Sequence, residues 1–327
     1  MAHRRHFVTQ AAAWGALGWL GMPAMAAPGI PLAKILLGAP AGGAGDLMAR
    51  RLAEQLRGSY AGSVIVENRP GAGGQLAIAS FKDSATDGSS LLLTPSSLLS
   101  IYPYTYAKLP YKPLEDLLPA SLAAYSNHAF GVGPAVPAGV KNMREFLAWA
   151  KANPDLATYG SPASGSIPHL IGVVLAKLTG APLRHIPYRG STQGLQDLRG
   201  GQLAAMSSPV GAFLPHLQSG QVRLLAVSGE QRSLFLREVP TYRQLGYPIT
   251  AREWYGFFLP GKSPSAVVTR AAAYLRLALS SPDVVQGLSQ FGLEAAHSTP
   301  QALADMLKAD SNEWRLLIKA VGFTAES

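Results

Sequence analysis

The stretch ILLGAPAGGAGDLMARRLAEQLRG, residues 35–58, decides the fold of this 327-residue chain. A short apolar run, Ile35–Leu37, is followed by a glycine-rich loop, Gly38–Gly45, and then by Asp46. Apolar residues then recur at helical spacing, so the stretch predicts a strand, a glycine loop and a helix. Glycines let the backbone approach a ligand closely, and the free N–H groups at a helix start favour an anion. The stretch is therefore interpreted as an anion-binding loop, with an ordinary strand-to-helix turn as the alternative.

The composition excludes several classes of protein. Of the 327 residues, 48% are hydrophobic and 14% are charged, which is enough apolar material for two domains of ordinary size. The chain has no cysteine, so disulfide-stapled folds, thiolate metal sites and cysteine nucleophiles are excluded. The net charge is +9, but Lys and Arg are scattered, without the basic clusters and stacking aromatics of a nucleic-acid groove. No nucleic-acid partner is expected.

The first 26 residues have the pattern of an export signal. Arg4 and Arg5 precede an apolar run, Ala11–Leu20, and small residues follow it. The two arginines fit a twin-arginine signal, and a general secretory signal is the alternative. The apolar run is too short for a membrane anchor. We therefore expect cleavage near Ala26 and a soluble, monomeric protein in the periplasm.

The remaining chain alternates between predicted strands and helices, which indicates parallel α/β sheets. The segment 109–137 is rich in proline and is predicted to be irregular, with one strand at 129–132, where the chain crosses into another domain. The strand predicted at 222–227 is interpreted as the return crossing. Two sheets joined in this way leave a cleft, and polar loops at the carboxyl ends of strands are where such sheets bind ligands.

Motifs for catalysis or cofactor binding fail on closer reading. Residues 256–263, GFFLPGKS, satisfy the phosphate-loop pattern, but their apolar side chains and the proline are typical of a buried strand end. The glycines at 71–74 lack the rest of a dinucleotide fingerprint, and no serine lies in a nucleophile elbow. The histidines show no paired metal spacing. We therefore expect no catalytic residue, no metal, no cofactor and no enzymatic activity.

Two polar residues at predicted helix starts have two interpretations each. Asp46 is the best-placed carboxylate for a general base, but capping of the helix start is favoured. His169 lies in the first turn of a predicted helix beside a serine-rich loop, where it either contacts a ligand or caps and packs. In both cases the structural role is the favoured interpretation.

Several blocks of the chain resemble a known family, the receptors of tripartite tricarboxylate transporters, also called Bug-type solute-binding proteins. The resemblance covers essentially the whole mature chain. It rests on the glycine loop ending in Asp46, on VENRPGAGG at 66–74, on LPY at 109–111, on IPYRG at 186–190, on LLAV at 224–227 and on VPT at 239–241.

The resemblance implies a type II periplasmic binding protein with two Rossmann-like lobes, crossing strands and a central cleft. Residues 27–125 plus 229–327 would form the first lobe, and residues 126–228 the second. In the family, main-chain amides and waters in loops of both lobes hold the carboxylate of a small solute. The matching positions here, the predicted ligand-binding residues, are Ala41, Gly42, Gly43, Ser96, Ser97, Ser161, Gly165, Ser166, Gly190, Ser191, Thr192, Ser207 and Ser208.

The chain departs from the family pattern near the site. Ala44–Gly45 replace proline-threonine, Thr192–Gln193 replace a small residue and proline, and Ala204–Ala205 replace an aspartate. The ligand therefore stays open among di- and tricarboxylates, aromatic acids and amino acids, with membrane permease components as partners. The alternatives are a sensor for a signalling partner and an enzyme on the same two-lobed scaffold.

Overall fold

A computed structural model describes residues 29–324, so the predicted signal peptide lies outside the described residues. The strands are β1 Leu32–Leu37, β2 Ser63–Asn68, β3 Ser90–Pro95, β4 Leu117–Val132, β5 Thr158–Ser161, β6 Arg184–Pro187, β7 Ala205–Pro209, β8 Arg223–Val227, β9 Arg252–Pro260 and β10 Glu294–Ala295. The α-helices are α1 Ala44–Leu56, α2 Gln75–Phe81, α3 Tyr102–Thr105, α4 Pro113–Asp116, α5 Met143–Ala152, α6 Ile167–Thr179, α7 Ser191–Arg199, α8 Val210–Phe213, α9 Ser265–Leu279, α10 Pro282–Ser289 and α11 Pro300–Val321. Tighter or wider helical turns lie at Ala72–Gly74, Ser97–Ile101, Pro154–Leu156 and Leu214–Ser219.

The strands form two lobes that share one strand and repeat the same arrangement. In the first lobe the order is β2-β1-β3-β9-β4, with β10 also on β4. In the second lobe the order is β6-β5-β7-β4-β8. The first strand of each lobe, β1 or β5, pairs in parallel with the next two, and an antiparallel strand follows. The sheets are therefore mixed rather than wholly parallel, because β9 runs antiparallel to β3, and β4 runs antiparallel to β7, β8 and β9.

The strand β4 joins the two sheets. Its first part, Leu117–Asn127, pairs with β9, and its last part, His128–Val132, pairs with β7 and β8. The expectation of an irregular segment with a strand only at 129–132 was wrong, because β4 has 16 residues. Pro119 lies where the register with β9 shifts, which is where a strand tolerates a residue that has no N–H to donate.

The return to the first lobe differs from the prediction as well. β8 pairs only with the second-lobe part of β4, and the chain returns through the segment 228–251. Ser228 connects both ends of this segment to β4. Its hydroxyl donates to Ala251 O at 2.6 Å and accepts from His128 N at 2.9 Å. The change of partner along β4 between Asn127 and His128 supports lobe limits near 125/126 and 228/229, which we keep as a proposal.

One cluster of buried side chains belongs to the first lobe, and another runs through both lobes, from Leu36 and Leu92 to Phe130 and Phe146. In the first lobe, α1, α9 and α10 cover one face of the sheet with buried side chains such as Met48, Leu52, Leu275 and Leu288. The buried residues of α11 are Leu303, Leu307, Trp314 and Ile318, which recur at helical spacing. Between residues 29 and 324, no helix combines the length and apolar character needed to span a membrane.

Candidate ligand-binding site between the lobes

The glycine loop between β1 and α1 is held by Asp46. Asp46 is the third residue of α1, and its carboxylate accepts hydrogen bonds from Gly42 N, Arg50 Nε and Asn68 Nδ2 at 2.9, 3.0 and 2.9 Å. Gly42 has a φ of +83°, a conformation that a residue with a side chain rarely adopts. Asn68, at the end of β2, also donates to Ala39 O at 3.0 Å. The loop is therefore held at Gly42 by Asp46 and at Ala39 by Asn68.

These contacts give Asp46 a structural role, but it holds the amide of Gly42, which precedes the N-cap residue Gly43, rather than capping an N–H of α1 as predicted. Burial alone would raise the pKa of Asp46, but the hydrogen bonds from Arg50, Gly42 and Asn68 outweigh it, and the pKa lies below its ordinary value. An ionised carboxylate saturated by three donors is unsuited to accepting a proton from a substrate. Because Gly42 N already donates within the loop, the N–H groups available to a ligand are those of the first turn of α1, from Ala44 onward.

The loop between β5 and α6 is built in the same way around His169. Gly165 has a φ of +72°, and its N–H donates to His169 Nδ1 at 2.9 Å. His169 is the third residue of α6, and its ring has a structural role: it holds the amide of Gly165, which precedes the N-cap residue Ser166, rather than an N–H of the helix itself. The hydroxyl of Ser166 donates to Ala163 O at 2.7 Å, and Ser161 Oγ lies 2.8 Å from His185 Nε2. The polar groups of this loop thus hold one another in place.

Ser97 connects the two lobes. Its hydroxyl donates to Glu253 Oε1 on β9 at 2.6 Å and accepts a hydrogen bond from Ile167 N, at the start of α6, at 3.3 Å. Glu253 is fully buried, and burial raises its pKa to about 7 against the opposing hydrogen bond from Ser97. His128 Nε2 lies 3.4 Å from Glu253 Oε2, and burial lowers the pKa of His128 to about 3, so its ring is neutral. This buried group lies where β4 passes between the lobes.

Five of the predicted ligand-binding residues lie at the start of α7 or on β7: Gly190, Ser191, Thr192, Ser207 and Ser208. Ser208 Oγ donates to Ser191 Oγ at 2.8 Å, which joins the end of β7 to the start of α7. Ser207 and Ser208 were predicted to lie in a loop, but they belong to β7, because the strand starts and ends later than its apolar residues suggested. Gly190 precedes α7, and a Cβ there would lie 3.2 Å from Pro40 Cγ in the first lobe. The lobes therefore touch at Pro40 and Gly190.

A chain of contacts connects all the loops that carry predicted ligand-binding residues. Pro40 meets Gly190, Ser191 meets Ser208, and Ser97 meets Ile167. Tyr255 on β9 lies opposite Pro95 and is the side chain that a Cβ on Gly45 would approach, at 3.6 Å. Ala41, Gly42 and Thr192 are exposed, Gly43, Gly190 and Ser191 are half-buried, and the buried members are Ser96, Ser97, Ser161, Gly165, Ser166, Ser207 and Ser208.

Two hydroxyls at this junction stand out by their lack of a partner. Ser96 and Ser207 are both fully buried, and within residues 29–324 neither Oγ atom has a hydrogen-bond partner. Ser96 follows β3, and Ser207 lies on β7, so they occupy equivalent third-strand ends in the two lobes. A buried hydroxyl without a partner costs free energy unless a bound molecule supplies one.

The phosphate-loop match at 256–263 has the structure expected for a strand end. Gly256–Pro260 lie in β9, and Phe257, Phe258 and Leu259 are fully buried in the core. Their side chains and strand pairing leave no glycine cradle for a phosphate. Across the described part of the chain, no three His, Cys, Asp or Glu side chains are grouped to hold a metal ion.

Sequence reasoning missed three residues that organise the junction: Asn68, Tyr106 and Glu253. Tyr106 Oη donates to Ser164 O at 3.0 Å, which joins the segment after β3 to the loop after β5. Asn68 lies in the VENRPGAGG string that carried the family resemblance, which was the one available signal. Ser97 and Glu253 are 156 positions apart, so their pairing leaves no local pattern to read.

Comparison with known proteins gives consistent matches along the chain. The UPF0065 protein in gbd 5'region of Cupriavidus necator is 33% identical over 327 residues, covering 98% of each chain. The solved structure of the periplasmic binding protein BugD is 28% identical with a TM-score of 0.83, covering 91% of this chain and 100% of that one. The structure of R. palustris Rpa4515 with adipate is 25% identical with a TM-score of 0.85, covering 90% of this chain and 98% of that one.

The two-lobed α/β fold with a shared crossing strand is that of the solved periplasmic binding proteins. The model of the tripartite tricarboxylate transporter family receptor matches residues 48–323, which span α1 to the end of α11 and include most of the loops described above. The chain belongs to the tripartite tricarboxylate transporter receptor family.

Proposed function

We propose that this receptor captures a small carboxylate in the periplasm by closing its two lobes, and presents it to the membrane components of a tripartite tricarboxylate-type transporter. The observation that carries the proposal is the pair of buried hydroxyls without a partner, Ser96 and Ser207, one on each lobe. In this proposal, oxygens of the ligand supply the partner that each hydroxyl lacks. A ligand that bound only one of these hydroxyls would contact only one lobe and would not favour closure.

The main-chain donors nearby suit an anion. The starts of α1 and α7 both meet the contact between Pro40 and Gly190, and the first N–H groups of a helix have no partner within that helix. These donors and the positive ends of the helix dipoles stabilise a carboxylate without a salt bridge, the more so when closure excludes water. The family relative Rpa4515 has been solved with adipate, a dicarboxylate, which supports this class of ligand.

The same geometry favours plain di- and tricarboxylates and aromatic acids over amino acids. An ammonium group would need a carboxylate or carbonyl acceptor. The Asp46 carboxylate is saturated by Gly42, Arg50 and Asn68, and Glu253 Oε1 is taken by Ser97. We therefore place amino acids last among the ligands that the family resemblance leaves open.

Closure would follow from contacts that exist only when the lobes meet. Tyr106 to Ser164, Ser97 to Ile167 and Pro40 to Gly190 each join one lobe to the other. A ligand that touches both lobes binds the closed form more tightly and shifts the population toward it.

A thermal-shift screen tests the proposal, with adipate, other di- and tricarboxylates, aromatic acids and amino acids, and the matching amides as uncharged controls. At a concentration of about 100 times Kd, ligand binding should stabilise the protein by about 2.7 kcal/mol. We expect this to raise Tm by about 5 °C. Mass spectrometry of the released ligand should find it unchanged, whereas turnover would indicate an enzyme. Stabilisation by the amides as well as by the acids would contradict a carboxylate site.

A further inference from the structure

The first strand-to-helix loop of each lobe uses the same hydrogen bond. In each, a glycine with positive φ donates its N–H to the side chain four residues later, which is the third residue of the helix. In the first lobe the pair is Gly42 and Asp46, and in the second lobe it is Gly165 and His169, both with a donor–acceptor distance of 2.9 Å. The acceptor is the Asp46 carboxylate in the first lobe and the His169 imidazole in the second. The two hydrogen bonds would therefore be broken by protonation of different groups.

The imidazole of His169 is packed from several sides. The ring of His185, on β6, stacks on it with centroids 3.6 Å apart and planes 13° apart. The ring of Phe323, which follows α11 of the first lobe, meets it edge-on at 4.9 Å. Tyr159 on β5 donates from its Oη to His169 O at 3.0 Å. The ring therefore has one fixed orientation, with Nδ1 toward Gly165.

This arrangement requires a neutral ring. Nδ1 can accept the Gly165 N–H only with a free lone pair, which places the ring proton on Nε2. A proton on Nδ1 would place an N–H donor opposite the Gly165 N–H donor. It would also put a positive charge beside His185. Burial lowers the pKa of His169 to about 4, and burial followed by His169 lowers that of His185 to about 3.

Few other ionisable groups face this ring. Tyr159 and His185 pack against it, Phe323 carries no charge, and Lys177 lies two turns further along α6, where it donates to Ala320 O. Glu253 is connected only indirectly, through Ser97 and Ile167 N. In the surroundings that these contacts describe, an imidazolium at position 169 would have no carboxylate in contact with its ring.

We infer that His169 is a positioning residue: its neutral ring holds the loop 161–166 in the shape that receives the ligand, and protonation of Nδ1 releases Gly165 and opens that loop. The effect on ligand affinity rests on the proposed function, whereas the effect on the loop does not. The loop 161–166 contains Ser161, Gly165 and Ser166, and its Ser164 O accepts the hydrogen bond from Tyr106, so its release would disturb the second-lobe half of the junction and this contact with the first lobe.

Two variants separate the acceptor from the bulk of the ring. His169→Asn keeps an acceptor atom near the position of Nδ1 but does not titrate, and His169→Ala removes the acceptor. His297→Ala, at an exposed position, is the matched control. Nitrogen-15 NMR of the ring and of the Gly165 amide reports the hydrogen bond directly, and calorimetry with adipate from pH 7 to pH 3.5 reports affinity.

We expect wild-type His169 to be the Nε2–H tautomer and the Gly165 amide to be protected from exchange in the wild type and in His169→Asn. Protection should be lost in His169→Ala, with adipate affinity about tenfold lower at pH 7. Because adipate and Glu253 titrate in every variant, the informative quantity is the affinity ratio of His169→Asn to wild type. This ratio should be constant down to about pH 5 and rise below it.

An Nδ1–H tautomer in the wild type, or a Gly165 amide equally protected in His169→Ala, would overturn the inference. A ratio that stays flat to pH 3.5 would overturn the release by acid. If no acid binds the wild type at any pH, the proposed function fails, and the tautomer and the Gly165 amide still decide the role of His169.

Discussion

Tyr106 Oη donates a hydrogen bond to Ser164 O, 3.0 Å away, and so connects the segment after β3 in the first lobe with the loop after β5 in the second. Two residues earlier, Tyr104 Oη bonds to Ser311 Oγ on α11 at 2.8 Å, within the first lobe. Neighbouring tyrosines thus make one contact between the lobes and one within the first lobe. Replacing each tyrosine in turn therefore distinguishes the effect of a contact between the lobes from that of a contact within the first lobe.

Under the proposed closure of the lobes, Tyr106→Phe is expected to weaken ligand binding three- to tenfold, because a hydrogen bond between the lobes contributes about 0.5–1.5 kcal/mol. Tyr104→Phe is the control and should leave the affinity unchanged. Isothermal titration with the acid that raises Tm most in the screen measures both. Equal losses in the two variants would show that Ser164 is not a closure contact.

Gly43→Val is expected to abolish ligand-induced thermal stabilisation with only about 1 kcal/mol of lost stability. Gly43 has an ordinary extended backbone, and a Cβ there would meet only Pro40 O at 3.7 Å, so the chain can accommodate the side chain. The valine would shield the first N–H groups of α1 from a carboxylate. Gly139→Val, where a Cβ would have nothing within 4 Å, is the control. An unchanged affinity in Gly43→Val would remove the first loop from the site.

Asp46→Ala should lower the free energy of unfolding by about 2–3 kcal/mol, because it leaves the donors on Gly42 and Asn68 without their acceptor. Arg50→Ala should cost clearly less, since the Arg50 side chain is half exposed and its ion pair is screened by solvent. Urea denaturation at pH 7 measures both variants. Because the folded pKa of Asp46 is lowered, its contribution is present above its unfolded pKa near 3.8 and is lost as pH falls through the folded value. Equal costs for the two variants would contradict this account.

Glu253→Gln should stabilise the protein at alkaline pH. Glu253 has a folded pKa of about 7 against an ordinary value of 4.5, so the folded state holds its proton more tightly and stability falls as pH rises between those values. Glutamine keeps the acceptor for Ser97 and never ionises. At pH 8 the variant should exceed the wild type by on the order of 3 kcal/mol, with little difference near pH 4.5. Urea denaturation across this range, with the exposed Glu54→Gln as control, tests it; a constant difference at all pH values would count against the raised pKa.

Local patterns predicted much of the structure because they depend on residues a few positions apart. The glycine loop at Gly38–Gly45 followed by the helix α1 is confirmed. Asp46 and His169 have structural roles at helix starts, but each bonds to the amide four residues before it, ahead of the N-cap residue, rather than capping the helix itself. The set of ligand-binding residues stays a prediction.

The sequence by itself determined the class of fold, the helix starts and the loops that carry small and hydroxyl residues, because helical periodicity, strand length and capping are local properties. Only the tertiary structure decided that β4 runs for 16 residues through a proline, that Ser207 and Ser208 end a strand, and that Ser97 joins Glu253 to Ile167. These features depend on partners that lie far apart along the chain. Their free energy comes from strand pairing and buried hydrogen bonds, which arise when the lobes assemble.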